Sequence, residues 1–186
     1  MNDSKILSKL PAVLDWSAAI WSGFISGTVS LFVSIVLPWN IINDPLLIVR
    51  LMASILLGPG VISPQNDLVP GVYVVAILTH FSLSFAFTFI IAIIFHRWGM
   101  VVAFIGGAIM GFVIYILNFY LFSLVFPWLL PYGNWMLMLS NIVFGALAGT
   151  LYEMLEDGRI NDEPFFPKRT SIIPQASANT NHESTK

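Results

Sequence analysis

Charge is scarce in this 186-residue sequence: Asp, Glu, Lys and Arg make up 10% of it, against roughly a quarter in a soluble domain. Hydrophobic residues make up 57%, with a mean hydropathy of +0.84, more apolar surface than a water-solvated fold of this length can bury. Lipid has to be the solvent for most of the chain. Cysteine is absent, which excludes disulfides, thiolate metal sites and cysteine nucleophiles. The net charge of −2 leaves no basic face for nucleic acid. No Gly-x-Ser-x-Gly elbow, phosphate-binding glycine loop or His-Glu-x-x-His motif occurs, so neither enzyme chemistry nor a cofactor is expected.

What is present is a series of apolar runs. Four are long enough to cross about 30 Å of hydrocarbon: about 16–37, 71–95, 100–126 and 135–152. The first ends in Leu37-Pro38-Trp39-Asn40, with no small-x-small cleavage site, and reads as a retained helix. His96 to Gly99 makes a tight turn between the second and third runs, and Pro127 to Asn134 one between the third and fourth. Trp16, Trp39, Trp98, Trp128, Tyr132, Trp135 and Tyr152 fall near the predicted water interfaces.

Between the first two spans lies a shorter element, about 45–57. Asp44-Pro45 is a helix start, with a capping carboxylate and a proline at the first position, and Gly58-Pro59-Gly60 is a stop. Such a helix rises only about 20 Å, which predicts an interfacial or re-entrant element with Arg50 and Ser54 on one face. Arg50 is expected to snorkel to the interface, the alternative being an anion or lipid head group. Residues 1–155 thus form an all-α, four-transmembrane-helix bundle. Residues 156–186, rich in Asn, Ser and Thr, are expected to be a disordered cytoplasmic tail. Lys5, Lys9, Arg97, Arg159, Lys168 and Arg169 fall on one side of the bilayer and Arg50 on the other, which places both termini in the cytoplasm.

Small and polar residues recur at helical spacing in every span. Gly23, Gly27, Ser30 and Ser34 form the first stripe; Ala76, His80, Ser84 and Thr88 the second. Ala103, Gly107, Gly111 and Asn118 form the third, and Asn141, Gly145 and Gly149 the fourth. Without a hydrophobic force between helices in lipid, such stripes hold a bundle together by close backbone approach and interhelical hydrogen bonds. At 1.5 Å per residue His80, Asn118 and Asn141 lie roughly 14, 12 and 9 Å deep from the outer side, so they can meet, with Arg50 above them. His80 is either interhelical glue, bonded to Asn118 or Asn141, or a functional group: proton relay, metal ligand or substrate contact. His96 stands sixteen residues away on the same helix, so the two cannot share one haem, and no carboxylate stands at the depth of His80 for zinc. Glu153, Glu156 and Asp157 read as a solvated acidic helix end without chemistry.

The segments Asp44-Pro45, Arg50-Leu51-Met52, Leu57-Gly58, His80-Phe81-Ser82-Leu83-Ser84, Asn118-Phe119-Tyr120 and Phe126-Pro127-Trp128 together resemble a group of uncharacterised small bacterial inner-membrane proteins with four predicted spans. The resemblance covers about residues 16–155 and implies the topology, not an activity. It also implies a histidine near the start of the last span, where this chain has Ser140 and Asn141; a two-histidine metal site is therefore not expected. The leading expectation is a non-enzymatic accessory or interaction subunit of a membrane complex, with the bilayer, other membrane proteins or further copies of itself as partners. The alternative is a small transporter or ion conduit, working as an oligomer around His80.

Overall fold

A computed structural model describes residues 14–37, 44, 46–64 and 69–162, with the last helix's side chains described to Glu156. Five α-helices stand in it: α1 Trp16–Val36, α2 Leu47–Leu57, α3 Pro70–Phe95, α4 Met100–Ile116 and α5 Trp135–Asp162. Four stretches are long and apolar enough to span a membrane: Trp16–Val36, Pro70–Phe95, Met100–Leu124 and Trp135–Glu156. The chain is therefore an all-α, multi-pass membrane protein with a shorter helix between its first two spans.

The helix starts follow local chemistry. Asp15 caps α1, its carboxylate accepting from the amides of Ser17 and Ala18 at 2.9 Å. Asn134 caps α5 through Oδ1, which accepts from the amides of Met136 and Leu137 at 3.0 Å. Pro70 occupies the first turn of α3, where its missing N–H costs nothing. The α3–α4 turn places both Arg97 and Gly99 at positive φ, 64° and 86°. For Arg97 that is a strained conformation which the surrounding contacts must hold.

Helix α5 is the hub of the bundle, packed against α4, α1 and α3, whereas α3 and α4 touch each other little despite being consecutive. The α4–α5 seam explains its own closeness. A Cβ on Gly107 or Gly111 would run into the backbone of Gly145 or Asn141, and one on Gly149 into the Ala103 carbonyl. Gly23 and Gly27 do the same for α1 against α3, where a Cβ would meet Phe85 Cδ1 or Ser84 Oγ at 2.9 Å. All six glycines thus sit at helix–helix contacts, as small residues do in lipid-solvated bundles.

Several expectations are corrected here. Asp44 does not cap α2: the helix starts at Leu47 without a side-chain cap, and the Asp44 carboxylate instead pairs with Arg50. Arg50 does not snorkel. It is 1% exposed, its Nε donating to the Ile62 carbonyl at 2.8 Å. Ser54, on the same face, is also buried and accepts from Trp128 Nε1 at 3.1 Å, so the polar face of α2 turns into the protein. The third span is not one regular helix to residue 126: α4 gives way to a π turn at Leu117–Leu121 and a 3-10 turn at Phe122–Leu124. The fourth helix runs past 152, to Asp162, so 156–162 are helical. The rest of the expected tail, and the lysines at 5, 9 and 168, lie outside the described residues.

Candidate functional site

At the end of the bundle that carries α2, the helices enclose a half-open cavity of about 120 Å³. Each helix presents one face to it. Ser30 and Ser34 come from α1, His80 and Ser84 from α3, Asn118 and Phe119 from the distorted end of the third span, and Asn141 and Phe144 from α5. Leu51 and Met52 of α2 form the roof. The structure thus brings His80, Asn118 and Asn141 to one site and leaves Arg50 out of it. The guanidinium is held within the roof by Asp44 and the Ile62 carbonyl.

Hydrogen-bond logic orients the polar groups. Asn141 Nδ2 donates to the Leu137 carbonyl at 2.8 Å, which leaves Asn141 Oδ1 to accept from Asn118 Nδ2 at 3.3 Å. The relay ends at Asn118 Oδ1, which is buried and has no partner among the described residues. The hydroxyls of Thr79 and Thr88 are also buried without a partner, but neither lines the cavity. Asn118 sits inside the π turn, a local widening of the helix that often marks a functional position.

His80 does not bond to either asparagine. Its Nε2 lies 2.9 Å from the Gly27 carbonyl and 3.5 Å from Ser84 Oγ. Facing a carbonyl, a neutral imidazole must donate from Nε2, so Nδ1 is the acceptor. The serines are more fully committed. Ser140 Oγ donates to the Ser30 carbonyl at 2.9 Å and lies 2.6 Å from Ser34 Oγ, while Ser30 Oγ reaches the Ser140 carbonyl at 3.4 Å. These three hydroxyls join α1 to α5. What remains unpaired at the cavity wall is an acceptor, Asn118 Oδ1. Among the described residues, no Asp, Glu, Lys or Arg lines the cavity.

Below the cavity the bundle is closed. Ile114 and Phe144, part of its floor, pack with Ile91, Phe95, Ala103 and Ala148 into a continuous apolar cluster. Beyond that plug, at the opposite end, lies a second polar group. His96 Nδ1 is 3.0 Å from Glu156 Oε1 and 3.1 Å from the Tyr152 hydroxyl, and Glu153 Oε1 accepts from the Trp98 amide at 3.2 Å. Glu153 and Glu156 are 2% and 6% exposed, so this acidic pair is not a solvated helix end but a clamp that holds the α3–α4 turn on α5. Sequence reasoning missed both this clamp and Ser140. The available signal was Tyr152 and Glu156 four apart on one helical face, beside a turn that begins with histidine.

Fold and site together define a multi-span helical membrane protein with a polar-tipped, largely apolar cavity at one end. Comparison with known proteins finds no matching family model, no matching curated protein and no matching solved structure.

Proposed function

We propose that this is a non-enzymatic binding protein of a bacterial inner membrane that holds a small molecule in the cavity and serves a membrane complex as an accessory subunit. The observation that carries the binding reading is Asn118 Oδ1, a buried acceptor without a partner at the wall of a cavity built by all five helices. A buried, unpaired amide oxygen costs about 1–3 kcal/mol, which a bound donor recovers. The accessory role is supported by the apolar plug around Ile91, Phe95 and Phe144, which makes the cavity a dead end instead of a path. The excess of Lys and Arg around the α3–α4 turn and the chain ends supports cytoplasmic termini, and with them a cavity on the outer side.

A transporter is the second reading, favoured by His80 within a span at that same site. It requires the plug to part and, with only four spans, an oligomer. Native mass spectrometry of the chain released gently from its own membrane separates these readings. The accessory reading predicts a retained small molecule, lost in Asn118→Leu, together with a different protein in fixed ratio. A homo-oligomer without such a partner would replace it with the transporter. Bare chains in both wild type and variant would remove the binding reading altogether.

A further inference from the structure

We infer that the cavity takes a neutral, hydroxyl-headed molecule on a hydrocarbon body, and that this molecule enters sideways from the bilayer between α3 and α4. The inference rests on the binding reading above and names its ligand class and route.

The ligand's charge follows from the walls. With no Asp, Glu, Lys or Arg among the described lining residues, an ion or a charged head would lose its hydration without a counter-charge. The head group follows from Asn118 Oδ1, a buried acceptor with no partner among the described residues; Asn118 Nδ2 already donates to Asn141 Oδ1, and His80 Nε2 lies 2.9 Å from the Gly27 carbonyl. A group that only accepts hydrogen bonds leaves that oxygen unsatisfied. A hydroxyl donates one and satisfies the orphan. The rest of the lining is apolar, from Leu83, Phe87, Phe119, Phe122 and Met52 among others, which suits hydrocarbon.

The route follows from packing. The α1 and α5 sides are sealed: Gly27 lies against Ser84, Gly111 against Asn141, and the serine triad ties α1 to α5. The roof is fastened by the Arg50–Asp44 pair, the Arg50 bond to the Ile62 carbonyl and the Trp128–Ser54 bond. Helices α3 and α4 have little contact overall; the Phe95 ring lies over Gly106 near their shared turn, and Phe87 and Ile91 share an apolar cluster with Met110 and Ile114. The rim residues there, Leu83 and Phe87 on α3 and Phe119 and Phe122 beyond α4, are partly exposed, whereas Ser30, Ser34 and Phe144 at the back are buried. In a span, that exposed side faces acyl chains.

The test is photolabelling of the full chain in phospholipid vesicles with a diazirine analogue of a C16 alcohol. The matching methyl ether and the matching fatty acid serve as controls. The alcohol should label peptides carrying His80, Leu83, Asn118 or Phe119. Excess unlabelled hexadecanol and the Asn118→Leu variant should each cut that labelling about tenfold. Leu83→Trp, which narrows the rim without touching a polar group, should do the same while leaving the melting temperature unchanged, which covers the case in which Asn118→Leu folds poorly. Equal labelling of the cavity by alcohol and ether would overturn the hydroxyl assignment while leaving the binding reading standing. Full labelling in Leu83→Trp would overturn the lateral route. No competable labelling by any probe would overturn the inference, and the binding reading falls with it only if native mass spectrometry also finds no retained molecule.

Discussion

Helix α4 has two neighbours in sequence, and its two sides are built by opposite rules. Against α5 it presents Gly107 and Gly111, and the two backbones come so close that neither helix has room for a Cβ at the crossing. Against α3 it and its continuation present Ile114, Asn118, Phe119 and Phe122, large or polar groups that hold the helices apart around a cavity. Both sides belong to membrane-spanning helices. What differs is side-chain size at the crossing point and whether each polar atom finds a partner. Seams close where backbone can touch backbone; cavities persist where a bulky rim and a fastened roof prevent it.

Arg50→Ala should have the largest effect, about 3–5 kcal/mol of lost stability, because it leaves the Asp44 carboxylate without its cation and the Ile62 carbonyl without its donor. Equilibrium unfolding in mild detergent against SDS would measure it, and a loss under about 1 kcal/mol would mean the roof is not held this way. Gly111→Leu should cost about 3 kcal/mol, since the obstacle is the Asn141 backbone and not a movable side chain. Phe119→Leu across the cleft should cost far less in the same assay; equal losses would erase the difference between the two sides. His96→Leu should cost about 1–3 kcal/mol by leaving the nearly buried Glu156 carboxylate with fewer partners, read out as a lower melting temperature. Asn118→Leu should change stability by less than about 1 kcal/mol, because it removes an orphaned oxygen along with one hydrogen bond. A large loss would make Asn118 a structural residue.

Much of this architecture was legible without coordinates. Span number, the short helix and the six packing glycines all follow from hydropathy and helical spacing, because lipid permits few alternatives. That His80, Asn118 and Asn141 can meet was legible from their similar depth and their places on the small-residue stripes. What depth cannot supply is azimuth and partner choice. Gly27 offers a carbonyl to His80 only because α1 lies close against α3 there, and the carbonyl carries no residue-type signal. The Asp44-Pro45 pair reads locally as a cap, but Arg50 six residues on makes a stronger, charged bond with that carboxylate. The π turn that carries Asn118 has no marker in its Leu117-Asn118-Phe119-Tyr120-Leu121 sequence. Glu153 and Glu156 looked solvated because the histidine and the Trp98 amide that meet them lie more than fifty residues earlier.

On the function proposed above, the space between α3 and α4 is a binding cavity kept open by its frame. Electron density from lipidic-mesophase crystals, grown from protein extracted with its own lipids, tests it most directly. Elongated density should enter between Leu83 and Phe119, with its head within hydrogen-bond distance of Asn118 Oδ1. A cleft closed by Leu83 and Phe119 packed against each other, with Asn118 Oδ1 bonded to a protein donor, would contradict it.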